Sequence, residues 1–144
     1  MVKGAGNSIP DKNTPPPRAL KTSNSPVRNA AISNKVKGYY DYTCQVCNIP
    51  LKGNKKKENI SIGAHIKGLG IMHGGPDVES NILCLCPNHH DLFDDYGFYI
   101  DQNFKIVGLK ENLLNNPKGR LITSPEHKIN MEQLLYHQEW YDKY

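Results

Sequence analysis

No stretch of the sequence approaches the ~20 consecutive apolar residues that a membrane-spanning helix needs. The N-terminus also lacks the apolar segment of a secretory signal. A protein of the cytoplasm, with no membrane partner, is the expectation. Large apolar residues are scarcest in residues 1–35, where five prolines, among them Pro15, Pro16 and Pro17, sit among Asn, Ser, Thr and Lys. A segment with so little to bury cannot offset the entropy lost on ordering. Residues 1–35 therefore read as a disordered, basic, Pro-rich tail or linker, and 36–144 as the folded domain. Acidic residues are sparse in the same region: residues 1–37 hold seven Lys or Arg against one Asp, in a chain whose net charge is only +4. The excess positive charge is thus concentrated in the arm, with a second run at Lys55, Lys56 and Lys57. A basic arm suits a polyanionic partner, although a solubilising linker has the same composition.

Cysteines number only four, Cys44, Cys47, Cys84 and Cys86. An intracellular setting disfavours disulfides, and the Cys44-x-x-Cys47 pair then points to metal or redox chemistry. Cys86-x-x-His89 has ligand spacing too. Together the two pairs make a Cys₃His set of the kind that zinc takes in closed tetrahedral sites. A domain of this size with long glycine loops has limited burial, and metal ligation is folding free energy. Cys84 would share a strand face with Cys86. It is either a substitute ligand or a small buried apolar residue, and the spacing favours the second.

The periodicity places the elements. Ile60, Ile62, Ala64 and Ile66 alternate with smaller or polar residues, predicting a strand over Asn59 to Ile66. Gly68, Gly70, Gly74, Gly75 and Pro76 mark a long loop. Asn81 to Cys86 is a compact apolar run, read as a buried strand. Pro87 suits the first turn of a helix running to about Asp94. Phe98–Ile100 and Phe104–Val107 flank Asp101-Gln102-Asn103 as a hairpin. Asn130 caps a last helix reaching about Asp142, with Gln133 where a capping-box partner belongs. Met131, Leu134, Leu135 and Tyr141 are expected to dock that helix on the core.

The block Gly63 to Asp94 reads GAHIKGLGIMHGGPDVESNILCLCPNHHDLFD. Its His in a strand (AHI), glycine loop (HGGPD), Asn opening a second strand (NILCLC) and CPNHH helix resemble the HNH endonuclease family. With YDYTCQVCNIPL and the C-terminal YHQEW, the block is similar more narrowly to the HNH domain found behind SRA (YDG) modules. Proteins of that kind are modification-dependent restriction endonucleases. The resemblance runs from about Lys35 to the C-terminus. It implies an α+β fold, a small zinc-stapled ββα-metal (HNH, His-Me finger) domain with a C-terminal hairpin and helix.

The resemblance also implies roles. His65 matches the general base, since an imidazole ordinarily titrates at about 6.5 and can take a proton near neutral pH. Asn81 matches the residue that holds the long loop and helps orient the base. His90 matches the ligand of a catalytic divalent ion, Mg²⁺ or Mn²⁺, which stabilises charge at the scissile phosphate. His89 and His90 are adjacent on one helix and can face different metals. Many HNH domains place Asp immediately before the first His as a second ligand; this chain has Ala64. Replacement ligands are His73, Asp77, Asp94, or phosphate oxygens and water. Lys55, Lys56, Lys57 and Lys67 are candidates for gripping DNA phosphates, which positions an enzyme without giving it sequence specificity. Recognition of a modified base would fall to a separate SRA-type domain, and a homodimer is compatible with the reading. Ala64 motivates one alternative, a zinc-stabilised nucleic-acid-binding module without catalysis.

Overall fold

The computed structural model describes residues 13–18 and 28–144. Its centre is a two-stranded antiparallel sheet of β1 (Ile62–His65) and β2 (Ile82–Leu85), in the register Ile62↔Leu85, Gly63↔Cys84, Ala64↔Leu83 and His65↔Ile82. All four residues of β2 are buried. That follows from its unbroken apolar run, which has an element on each face. The predicted strand over Asn59 to Ile66 is shorter than expected at its start. Ile60 stays 42% exposed, and its N–H donates to Leu51 O at 2.8 Å instead of joining the sheet.

α1 (Ala30–Gly38) packs across both strands, burying Val36. Its approach is close enough that a Cβ on Gly63 would lie 2.5 Å from Ser33 Oγ, so only glycine fits there. Asn29 caps the helix, its side chain accepting from the Ala31 N–H. The expected boundary at Val36 is therefore too late. Residues 30–35 of the expected tail are the first turns of a docked helix, whose polar face concealed it. Most of the remaining tail, residues 1–12 and 19–27, lies outside the described residues.

A 3₁₀ turn (Glu79–Asn81) leads into β2, and α2 (Pro87–Asp94) follows with Pro87 in its first turn. The hairpin pairs β3 (Tyr99–Ile100) with β4 (Ile106–Val107). Asp101 makes its turn: Oδ1 accepts from the N–H groups of Asn103 at 2.8 Å and Lys105 at 2.9 Å. α3 (Met131–Tyr141) starts where expected, Asn130 Oδ1 accepting from the Glu132 and Gln133 N–H groups. The other half of the expected capping box is missing, because the Asn130 N–H donates to Ser80 O. The docking residues also differ from expectation. Leu134 and His137 are buried, whereas Met131 and Leu135 are 37% and 42% exposed. His137 replaces an aliphatic residue by stacking flat on Phe93, with centroids 3.8 Å apart. Among the described residues, no helix is long and apolar enough to cross a membrane.

Candidate active site and metal centre

One turn and the start of one helix build a closed donor cluster. Cys44 and Cys47 sit on a tight turn after α1, where Cys44 Sγ accepts from the Val46 N–H at 3.4 Å. Cys86 is both the N-cap of α2 and a donor; its sulfur accepts from the His89 N–H. The ligand atoms of Cys44, Cys47, Cys86 and His89 all lie within 4.8 Å of one another, and all four residues are buried. His89 Nδ1 faces the sulfurs of Cys86 at 3.1 Å and Cys44 at 3.8 Å. Hydrogen bonds from the Cys44 and Cys47 thiols hold the Cys86 thiol well below its ordinary range, favouring the thiolate that ligates a metal. Soft thiolates with one imidazole, buried and convergent, fit a structural zinc ion. Cys84 is not part of the group; burial pushes its thiol up to about 11, and it packs as an apolar residue. On the far side of the ring, His89 Nε2 donates to Glu111 Oε1 at 2.6 Å. That carboxylate fixes the tautomer and aims Nδ1 at the cluster.

A second group opens to solvent. A cleft of about 290 Å³ is lined by Arg28, His65, His73, His90, Asp94 and Tyr96, among others. His65 ends β1 with its side chain 7% exposed. Its Nε2 lies 2.8 Å from Asp77 Oδ1, and Asp77 Oδ2 accepts from the Asn29 N–H at 2.7 Å. Burial pushes the Asp77 carboxyl up, but the Asn29 and His65 hydrogen bonds outweigh it and hold the group below its ordinary value. An ionised carboxylate only accepts, so Nε2 is the donor of this hydrogen bond, and Nδ1 is the ring nitrogen that Asp77 does not engage. This is the arrangement of a base with an orienting acid behind it.

Asn81 is fully buried. Its Oδ1 accepts from the Lys67 N–H, and its Nδ2 donates to Lys67 O and Pro76 O, each at 2.9 Å. One side chain thus ties both ends of the glycine loop, and its own carbonyl accepts from the Ile66 N–H next to His65.

His90 projects from α2 on a different side from His89. Its Nε2 is 3.1 Å from Asp94 Oδ2, one helical turn on. Burial raises the Asp94 carboxyl, against the pull of His90. The three residues offered as replacements for the missing carboxylate separate here. Asp94 stands beside His90. His73 lines the cleft but shares a hydrogen bond with the Tyr136 hydroxyl at 2.7 Å and packs edge-on against Trp140. Asp77 hydrogen-bonds His65 through Oδ1 and the Asn29 N–H through Oδ2, and it does not line the cleft.

Residues 44–101 match the family described as HNH endonuclease. The chain carries an HNH endonuclease domain. A solved structure, a "Modification dependent TagI restriction endonuclease", is similar to this chain, 43% identical with a TM-score of 0.69 over 81% of this chain. The match covers 39% of that protein, so the chain spans well under half its length. No curated protein matches the chain. The matched residues 44–101 include the donor cluster as well as His65, Asn81 and His90. Lys55, Lys56 and Lys57 lie elsewhere, on an exposed loop before β1, and do not line the cleft. Lys67 sits beside it, its ammonium 4.5 Å from the centre of the Tyr136 ring. Two residues had no sequence signal: Arg28, in the supposed tail, and Glu111, an isolated acid in a loop. A third, Asp77, is visible in HGGPD but not assignable to His65 without the fold.

Proposed function

We propose that this HNH domain hydrolyses phosphodiester bonds of DNA, with His65 as general base and a divalent ion held by His90 and Asp94. In this reading it is the cleavage module of a modification-dependent restriction enzyme, and base recognition belongs to a separate domain. The observation that carries it is that His65, hydrogen-bonded to Asp77, lines the same cleft as the His90–Asp94 pair. Two ligands at right angles on a Mg²⁺-sized ion lie about 3 Å apart, which the His90–Asp94 separation of 3.1 Å satisfies. Asp94 thereby supplies the carboxylate that Ala64 withholds. An ion there would neutralise charge on the phosphate and its leaving oxygen, its other positions filled by water and substrate. His65 Nδ1 takes the proton of the attacking water, and Asp77 stabilises the resulting imidazolium. Arg28 offers a fixed positive charge to the phosphate. Tyr136 and Trp140 hold His73 as a wall of the cleft.

Cleavage of supercoiled plasmid by the purified chain, with Mg²⁺, Mn²⁺ or EDTA, tests the reading. Metal-dependent cutting that disappears in His65→Ala supports it. DNA binding without cutting under every metal would transfer the domain to the non-catalytic, zinc-stabilised class.

A further inference from the structure

The loop from Lys67 to Pro76 is held far more tightly than an exposed glycine loop requires. Beyond the Asn81 tie at its ends, Gly75 N–H donates to Gly68 O and Gly74 N–H to Gly70 O, both at 2.7 Å. A Cβ on Gly75 would lie 2.1 Å from Lys67 O, so the crossing of the two loop arms admits only glycine. The inner arm, Gly68, Leu69 and Gly70, lines the catalytic cleft. At the apex stand Ile71 and Met72, 88% and 74% exposed. Single exposed apolar residues are ordinary on a protein surface. Two adjacent ones at the tip of a cross-braced loop, on the rim of a phosphodiesterase cleft, are placed to meet what enters the cleft.

The charge beside them indicates what that is. Lys67 stands at the base of the same loop, and Arg28 lines the cleft that the loop borders, so cations accompany the apolar tip. A polyanion with an apolar interior matches this pattern, its phosphates toward the cations and its stacked bases toward the tip. We propose that Ile71 and Met72 form an apolar wedge that enters the minor groove of duplex DNA and parts a base step beside the scissile phosphate. The wedge would hold the backbone still against His65. This rests on the nuclease reading of the cleft.

The test uses the full chain carrying Ile71→Ser and Met72→Ser together; both side chains are exposed, so zinc content and thermal midpoint serve as folding controls. Cleavage of a duplex is compared with hydrolysis of bis(p-nitrophenyl) phosphate, which has no base step to part. Separately, a duplex containing 2-aminopurine is titrated with protein in the His65→Ala background, where unstacking raises fluorescence. The wedge predicts that the double variant loses at least tenfold in duplex cleavage relative to the small diester, and loses the fluorescence rise. Equal duplex cleavage and equal fluorescence would overturn it. Proportional loss on both substrates would overturn it too, by showing that the loop shapes the cleft rather than grips DNA. So would conversion of a dimer to a monomer by the double variant, which would make the apex a protein interface. If the chain hydrolyses neither substrate, the nuclease reading fails, while a fluorescence rise abolished by the double variant would still establish the wedge.

Discussion

The cluster of Cys44, Cys47, Cys86 and His89 and the cleft around His65 and His90 share one short helix and differ in most other respects. In the cluster, four donors converge within 4.8 Å, all buried. At the cleft, His65, His90 and Asp94 come from a strand end and a helix face, with Asp77 of a loop behind His65, and they pair two by two. A closed set of soft donors leaves no position for substrate and yields stability; an open set with hard oxygens and water-filled positions suits chemistry. The adjacency of His89 and His90 lets the first region set the second, because whatever fixes α2 on the cluster also fixes the residue facing the cleft. His137 lies between them. It lines the cleft, yet stacks on Phe93 in the core and donates from Nε2 to Phe93 O at 2.9 Å.

The sharpest way to break the comparison is to remove a donor of the cluster. Cys44→Ser should abolish cooperative thermal unfolding and zinc retention together, since structural zinc contributes on the order of 10 kcal/mol in small domains. Circular dichroism with metal analysis measures both, and a folded, zinc-free variant would refute the division. Next comes acid. Burial holds His137 down at about 4, so the native protein keeps it neutral while the unfolded chain protonates near its ordinary value. The folded pKa being the lower, its contribution is complete above about pH 6.5 and is lost as pH falls toward 4. The total is about 3 kcal/mol for a shift of this size. Denaturant unfolding from pH 7 to 4 should show a steeper loss in the wild type than in His137→Phe; parallel curves would contradict it.

A smaller effect is expected behind the base. Asp77→Asn removes the charge, and an amide that keeps its oxygen on the Asn29 N–H turns its NH₂ toward His65 and reverses the tautomer; it should lower cleavage on the order of 10²-fold with KM little changed. Steady-state kinetics on a plasmid substrate decide this, and an unaffected turnover would return Asp77 to a purely structural role. Smallest of all, Glu111→Gln should weaken zinc affinity by roughly 10- to 100-fold in competition with a chelator, while cleavage at saturating zinc persists. An unchanged affinity would mean that the 2.6 Å contact with His89 is incidental.

What the sequence made legible was local. Cys86-x-x-His89 lies within one helical turn, Pro87 and Asn130 mark helix starts by their own chemistry, and β2 is a short apolar run. What stayed hidden depended on distant chain. Asn29 meets Asp77 across 48 positions, and Glu111 meets His89 across 22, with no spacing rule to announce either. The start of α1 is hidden because its exposed residues are small or polar (Ala30, Ala31, Asn34, Lys35) and only Val36 is fully buried, so the pattern resembles the tail before it. For α3 the apolar residues were visible, but their orientation was not. The helix turns His137 inward and leaves Met131 and Leu135 partly exposed, a choice made by the flat face of Phe93.

The most direct test of the two-region account pairs the adjacent histidines. His89→Ala and His90→Ala are purified side by side, and zinc content, thermal midpoint and Mg²⁺-dependent plasmid cleavage are measured on each. The account predicts that His89→Ala loses zinc and fold, whereas His90→Ala keeps one zinc and its midpoint but no longer cuts. Loss of zinc and fold in His90→Ala, or full cleavage by it, would contradict the assignment of the two side chains to separate sites.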